Sequence, residues 1–147
     1  MTTPAFLVRL MAHHSLSARV MLGPEDREAY SFANDLRKAT LEGRLRAVWT
    51  HPANELAAAK VGKGGKVVVP VGVAIARALG LITGTSDYLF HWHSGGCAME
   101  FKSKTGRLTQ GQKDYRDWCD LARVPFHVVR SADEGMDLLR GYGVLTA

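Results

Sequence analysis

Apolar and polar residues follow a helical period over residues 24–43. Pro24, followed by Glu25, Asp26 and Glu28, marks the start: proline is tolerated at the first helical position, and acids favour the positive end of the helix dipole. Tyr30, Phe32, Ala33, Leu36 and Ala39 or Thr40 continue an inward stripe that Gly43 stops. Leu45–Thr50 (LRAVWT) reads as a strand, and His51-Pro52-Ala53-Asn54-Glu55 as a loop, because proline disfavours helix in the residue before it. Lys60–Lys66 (KVGKGGK) predicts a basic, glycine-rich loop. Val67–Val69 is a short apolar run, and Val73–Leu79 a short helix closed by Gly80.

Asp87–Trp92 and Cys97–Lys102 are strand-like runs separated by His93-Ser94-Gly95-Gly96, a hairpin signal. Thr109–Arg123 predicts a helix in which Tyr115, Trp118, Cys119 and Ala122 fall on one buried stripe. Phe126–Arg130 is a further strand. Ser131 through Glu134 form a capping box that opens a last helix, with Met136 and Leu139 facing inward. The order is helix, strand, β-hairpin, helix, strand, helix, which implies an α/β sandwich with a mixed sheet flanked by helices. The regular alternation of a doubly wound nucleotide-binding fold is missing, and Lys60–Lys66 lacks the spacing of a phosphate-binding P-loop. No nucleotide cofactor is therefore expected.

The 147 residues suit one domain, placed at 24–147 and preceded by an N-terminal extension over 1–23. Arg9 interrupts the apolar Phe6–Met11, and no A-x-A cleavage site follows, so the extension fails as a secretory signal. No apolar run approaches the roughly 20 residues that span a bilayer, so no membrane partner is expected. Cys97 and Cys119 are too few for a disulfide scaffold and suit a reduced, cytoplasmic setting. The excess of 19 Lys+Arg over 14 Asp+Glu leaves a net charge of +5 and favours polyanions. Lys60, Lys63 and Lys66, and separately Lys104 and Arg107, are candidate phosphate contacts, with solvated surface charge the competing reading.

Candidate chemistry centres on Glu100-Phe101-Lys102. Strand side chains alternate, so Glu100 and Lys102 share one face. Isolated charges in an apolar strand are costly, and this pair could simply neutralise itself. Asp87 on the preceding strand changes that picture. A turn at Ser94-Gly95 puts Asp87 opposite Lys102 with Glu100 as its diagonal neighbour, about 7–8 Å away between backbones. A turn at Gly95-Gly96 keeps the three on one face but moves Asp87 further off, and a three-residue loop separates them. Two convergent carboxylates suit Mg²⁺, which keeps several waters and can activate one against a phosphate. Gln112 falls on the inward stripe of its helix, either bonding a strand backbone or positioning substrate or water.

Four segments in order extend this reading: Gly84-Thr85-Ser86-Asp87-Tyr88, Met99-Glu100-Phe101-Lys102, Gly106 through Gln112, and Val128-Val129-Arg130-Ser131. Together they resemble the VRR-NUC branch of the PD-(D/E)XK nucleases, with Ser86 where that family usually has proline. Trp49 through Glu55 resembles a segment upstream of the core in phage-type members. The resemblance implies a restriction-endonuclease-like αβββαβ core and a Mg²⁺- or Mn²⁺-dependent endonuclease acting on DNA. It also implies a homodimer, branched or four-way junction substrates, and a bacterial or phage-encoded source. Asp87, Glu100 and the Phe101 carbonyl would be metal ligands, joined by a first-helix glutamate, Glu28 or Glu25. Lys102 would be the catalytic lysine, and Gln112 the glutamine of the following helix.

Two rival readings stand beside this one. His91, His93 and Cys97, with His13 and His14, suggest a zinc site, although the spacing lacks tight pairs. A catalytically silent nucleic-acid-binding or assembly module would keep the fold without the chemistry. His51 and His127 read as ordinary loop and sheet residues, and Trp92 as packing or a base-stacking ring.

Overall fold

The computed structural model describes residues 2–12, 16–53 and 60–147. In chain order they form α1 (Ala5–Leu10), α2 (Pro24–Leu41), β1 (Val48–Thr50), β2 (Lys60–Val61), β3 (Val67–Val68) and α3 (Val71–Ala78). There follow β4 (Tyr88–Trp92), β5 (Gly95–Phe101), α4 (Gln110–Leu121), β6 (Phe126–Val129) and α5 (Ala132–Gly141). Four strands make one mixed sheet in the order β1-β4-β5-β6, antiparallel except for the β5–β6 pair. β2 and β3 form a separate two-stranded ribbon. No helix among the described residues is long and apolar enough to cross a membrane.

The principal core lies between the sheet and the α2–α5 pair. Alternation sends Tyr88 and Phe90 of β4, and Cys97, Met99 and Phe101 of β5, to that side, where they meet Phe32, Leu36, Met136 and Leu139. The Phe32 ring lies 5.1 Å from both Tyr88 and Phe101. A Cβ on Gly135 would stand 2.7 Å from that ring, so glycine is what lets α5 approach α2. The other sheet face carries Leu89 and His91 of β4 and Ala98 and Glu100 of β5. Asp87 just before β4 and Lys102 just after β5 have the same parity. α4 packs on this side through its contacts with β6, where the Tyr115 ring lies 6.5 Å from Phe126.

The expected helices and strands form with altered limits, but Lys60–Lys66, read as a loop, supplies strand β2, whose pairing partners are the next two valines, Val67 and Val68. The strand expected over Leu45–Thr50 is reduced to β1, with Leu45 instead bridging to Leu145. The helix expected over Thr109–Arg123 begins at Gln110, because Thr109 serves as its cap. Its stripe is narrower than expected: Cys119 is buried and Tyr115 half-buried, but Trp118 is 55% exposed. Trp118 lies edge-on against Tyr115 and does not enter the sheet. At α5, Ser131 Oγ accepts from the Glu134 N–H as expected, but the Glu134 carboxylate reaches one residue further back, to the Arg130 N–H at 2.8 Å. In the extension, Thr3 Oγ1 donates to the Leu41 carbonyl, and no α1 residue is buried.

Two loops set the position of α4. Gly84, at φ +89, lies against the Gly111 backbone so closely that a Cβ would stand 2.3 Å from the Gly111 carbonyl. This contact ties the segment entering Asp87 to the first turn of α4. The β5–α4 loop is tied by Arg130, just after β6, whose Nη1 donates to the carbonyls of Ser103 and Gly106. Gly43 also has positive φ, +72, but nothing stands within 4 Å of a Cβ there. Gly43→Ala should therefore cost about 1 kcal/mol from backbone conformation alone. Gly84→Ala adds a backbone clash and should cost about 3 kcal/mol. Urea unfolding of both variants measures the difference, and equal costs would show that the Gly84–Gly111 contact is not tight.

Candidate metal and catalytic site

The hairpin joining β4 to β5 turns at His93-Ser94, with Trp92 paired to Gly95 and Tyr88 to Met99. None of the turns weighed from the sequence, at Ser94-Gly95, at Gly95-Gly96 or over three residues, is the one formed. The register places Asp87 opposite Glu100, closer than the diagonal arrangement expected from the sequence. Asp87 Oδ2 accepts the Phe101 N–H at 2.7 Å, which anchors the carboxylate across the strand ends. Phe101 itself points into the core, where its ring is fully buried.

Glu100 is 1% exposed. Its Oε1 receives the Gln112 amide and stands 3.3 Å from Lys102 Nζ, while Oε2 is buried with no hydrogen-bond partner among the described residues. Helix capping determines which end of the Gln112 amide faces Glu100. Gln112 Oε1 accepts the Thr109 N–H at 2.9 Å, and the Gln112 N–H donates to Thr109 Oγ1 at 3.4 Å, a reciprocal capping box. With its oxygen so engaged, the amide can present only its NH₂ to the carboxylate. The sequence left Gln112 between a strand-backbone partner and a substrate-positioning role; its partner is the Glu100 side chain. Lys102 is 8% exposed and also lies 3.8 Å from Glu25 Oε1.

Burial dominates the electrostatics. It raises the Asp87 pKa from its ordinary value, partly opposed by the Phe101 N–H. Burial, then the nearby Asp87 charge, pushes Glu100 up to about 7 against the opposing pull of Lys102. Two acids forced together and dried out, with one lysine between them and Glu25, form an under-neutralised cluster.

The other candidates divide. Glu28 Oε2 accepts the Ala132 N–H at 2.7 Å, at the first turn of α5. Of the first-helix glutamates, Glu25 is the one beside Lys102; Glu55 lies outside the described residues. Lys104 and Arg107 are exposed on the loop that follows Lys102. Lys63 and Lys66 are exposed on the β2–β3 ribbon, and Lys60 belongs to β2. A cleft of about 830 Å³ opens on the site, lined by Glu25, Asp87 and Gln112 together with Arg37, Trp49 and His51. His51, read from sequence as an ordinary loop residue, approaches the Asp87 carbonyl through Nδ1 at 2.5 Å. His127, by contrast, meets the Tyr142 hydroxyl, and burial lowers its pKa.

The donor set fits a hard divalent cation. Glu100 Oε2 is a buried oxygen in want of a partner, Asp87 lies opposite it, and Mg²⁺ commonly takes only one or two protein carboxylates. Among the described residues no three His, Cys, Asp or Glu side chains converge as a ligand group, so the fit rests on these two acids. The zinc alternative fares worse. Cys97 faces the core while His91 lies on the opposite sheet face, and burial pushes the Cys97 thiol up to about 12. His13 and His14 lie outside the described residues.

Glu100 carries a pH signature. Its folded value, about 7, exceeds the ordinary 4.5, so between these the folded protein holds a proton that the unfolded chain releases. That contribution is complete below about pH 4.5 and is lost as the pH rises through 7, a loss of about 3 kcal/mol. Without added metal, the protein should be less stable at pH 8 than at pH 5, and Glu100→Gln should remove most of that difference. Thermal unfolding across this range checks it; identical pH profiles for the two proteins would refute the burial account.

No family model, curated protein or solved structure significantly matches the chain.

Proposed function

We propose that the protein is a metal-dependent endonuclease that hydrolyses DNA phosphodiester bonds, built on a restriction-endonuclease-like core of the VRR-NUC type. The observation that carries this reading is the pairing of Asp87 with Glu100 beside Lys102, with a buried Glu100 oxygen left unpartnered. The order α2, β1, β4, β5, α4, β6 supports it, since the αβββαβ succession is retained with β2, β3 and α3 inserted after the first strand.

Asp87, Glu100, Gln112 and Lys102 have contacts that fit distinct roles. Asp87 and Glu100 would hold the cation, Mg²⁺ or Mn²⁺, with the Phe101 carbonyl as the further ligand that the resemblance implies. When bound, the ion stabilises charge on the phosphate and lowers the pKa of an attacking water. Gln112 holds Glu100 in orientation through an amide that the helix cap fixes. Lys102, beside Glu100 and with Glu25 on its other side, orients the attacking water. Lys104 and Arg107 contact the flanking phosphates, and Lys60, Lys63 and Lys66 a more distant stretch of the backbone. A homodimer acting on branched DNA belongs to the same proposal. The exposed Val61, Val67, Val71, Ile75 and Leu79 offer apolar surface for the second copy.

A labelled panel of linear, flap and four-way junction DNAs, with Mg²⁺ or Mn²⁺, tests the activity. Glu100→Ala and Lys102→Ala should each lower cleavage by at least about a hundredfold. DNA binding should survive in both and should weaken steeply with added salt. Cleavage undiminished in both variants would remove the site assignment. Binding without metal-dependent cleavage by any substrate would favour the silent module.

A further inference from the structure

We propose that His51 is a positioning residue that holds Asp87 from its backbone side. β1 pairs with β4 so that Val48 faces His91, Trp49 faces Phe90 and Thr50 faces Leu89. Continued by two residues, that register sets Pro52 opposite Asp87. Proline has no N–H to give, so the ladder cannot supply a donor to the Asp87 carbonyl from that residue. The His51 side chain occupies the role instead, with Nδ1 at 2.5 Å from the Asp87 oxygen. A carbonyl oxygen only accepts, so Nδ1 carries the hydrogen of this bond.

The imidazole is itself braced. Its ring lies 5.3 Å from that of Tyr88, which is buried among Phe32, Trp49 and Phe101 and whose hydroxyl donates to the Ala29 carbonyl at 3.0 Å. β1 is tied to α2 by the Trp49 indole, which donates to Thr40 Oγ1 at 3.1 Å. Asp87 is therefore gripped at two points, its carbonyl by His51 and its carboxylate by the Phe101 N–H. Losing the first grip lets the backbone move and loosens the second.

Amide hydrogen exchange of the metal-free full-length chain, followed residue by residue by NMR, reads this directly. The Lys102 amide, bonded to the Val129 carbonyl, serves as the internal control. In His51→Ala the Phe101 amide should exchange about tenfold faster relative to Lys102, the loss expected of one hydrogen bond. His51→Asn places an N–H where Nδ1 lies and should restore protection; His51→Gln places one where Nε2 lies and should not. Unchanged Phe101 exchange in His51→Ala, or rescue by Gln and not by Asn, would overturn the proposal. The consequence for an ion rests on the nuclease reading: Mn²⁺ binding, followed by EPR, should weaken about tenfold in His51→Ala and recover in His51→Asn. A wild-type chain that binds no Mn²⁺ but shows the expected exchange pattern would retire the metal reading and leave the hold on Asp87 standing.

Discussion

The antiparallel register of β4 on β5 is the constraint on which the rest of the structure depends. A slip of one residue would turn every side chain of a strand to the opposite face. Tyr88 and Phe90 would leave the core and Asp87 would enter it. The observed pairing puts five apolar side chains against α2 and α5, and the same alternation brings Asp87 and Glu100 together behind them. Core and candidate site are thus two sides of one register. The site inherits its rigidity from the burial of Phe101 and Met99, on either side of Glu100.

Rigidity matters because the site works against stability. A buried carboxylate with one unpartnered oxygen, next to a second raised carboxylate, is a poor solution for a structural ion pair. Lys102 offsets part of the charge, and Gln112 satisfies only one oxygen of Glu100. The surrounding devices all restrain this cluster. A helix cap orients Gln112, Arg130 straps the β5–α4 loop, and the Gly84–Gly111 contact draws together the segments that carry Asp87 and Gln112. Desolvated charge held in place in this way fits the proposed metal site better than a structural ion pair.

Most of the architecture was legible from periodicity and caps. Pro24 and the acids after it start α2, and Ser131 with Glu134 starts α5, because these signals are local. The hairpin register was not legible, for a specific reason. Gly95 and Gly96 look like turn residues, yet they lie in β5. A Cβ on Gly96 would stand 2.5 Å from the Phe90 carbonyl, and one on Gly95 would meet the Trp92 indole at 3.3 Å. These glycines answer to close packing, a tertiary demand with no local signature. The separate contacts of Glu25 and Glu28 were equally hidden, since they depend on where α5 begins and which carboxylate its first N–H groups engage. His51 could be valued only once the pairing of β1 with β4 set Pro52 against Asp87.

The central claim is that Asp87 and Glu100 jointly hold a divalent cation. Anomalous diffraction at the manganese edge, from crystals of the wild-type chain grown with Mn²⁺, tests it most directly. The account predicts a peak between the two carboxylates, within reach of Glu100 Oε2, that is absent from Glu100→Gln crystals. A peak at His91 or His93 with none beside Asp87, or one that persists in Glu100→Gln, would contradict it.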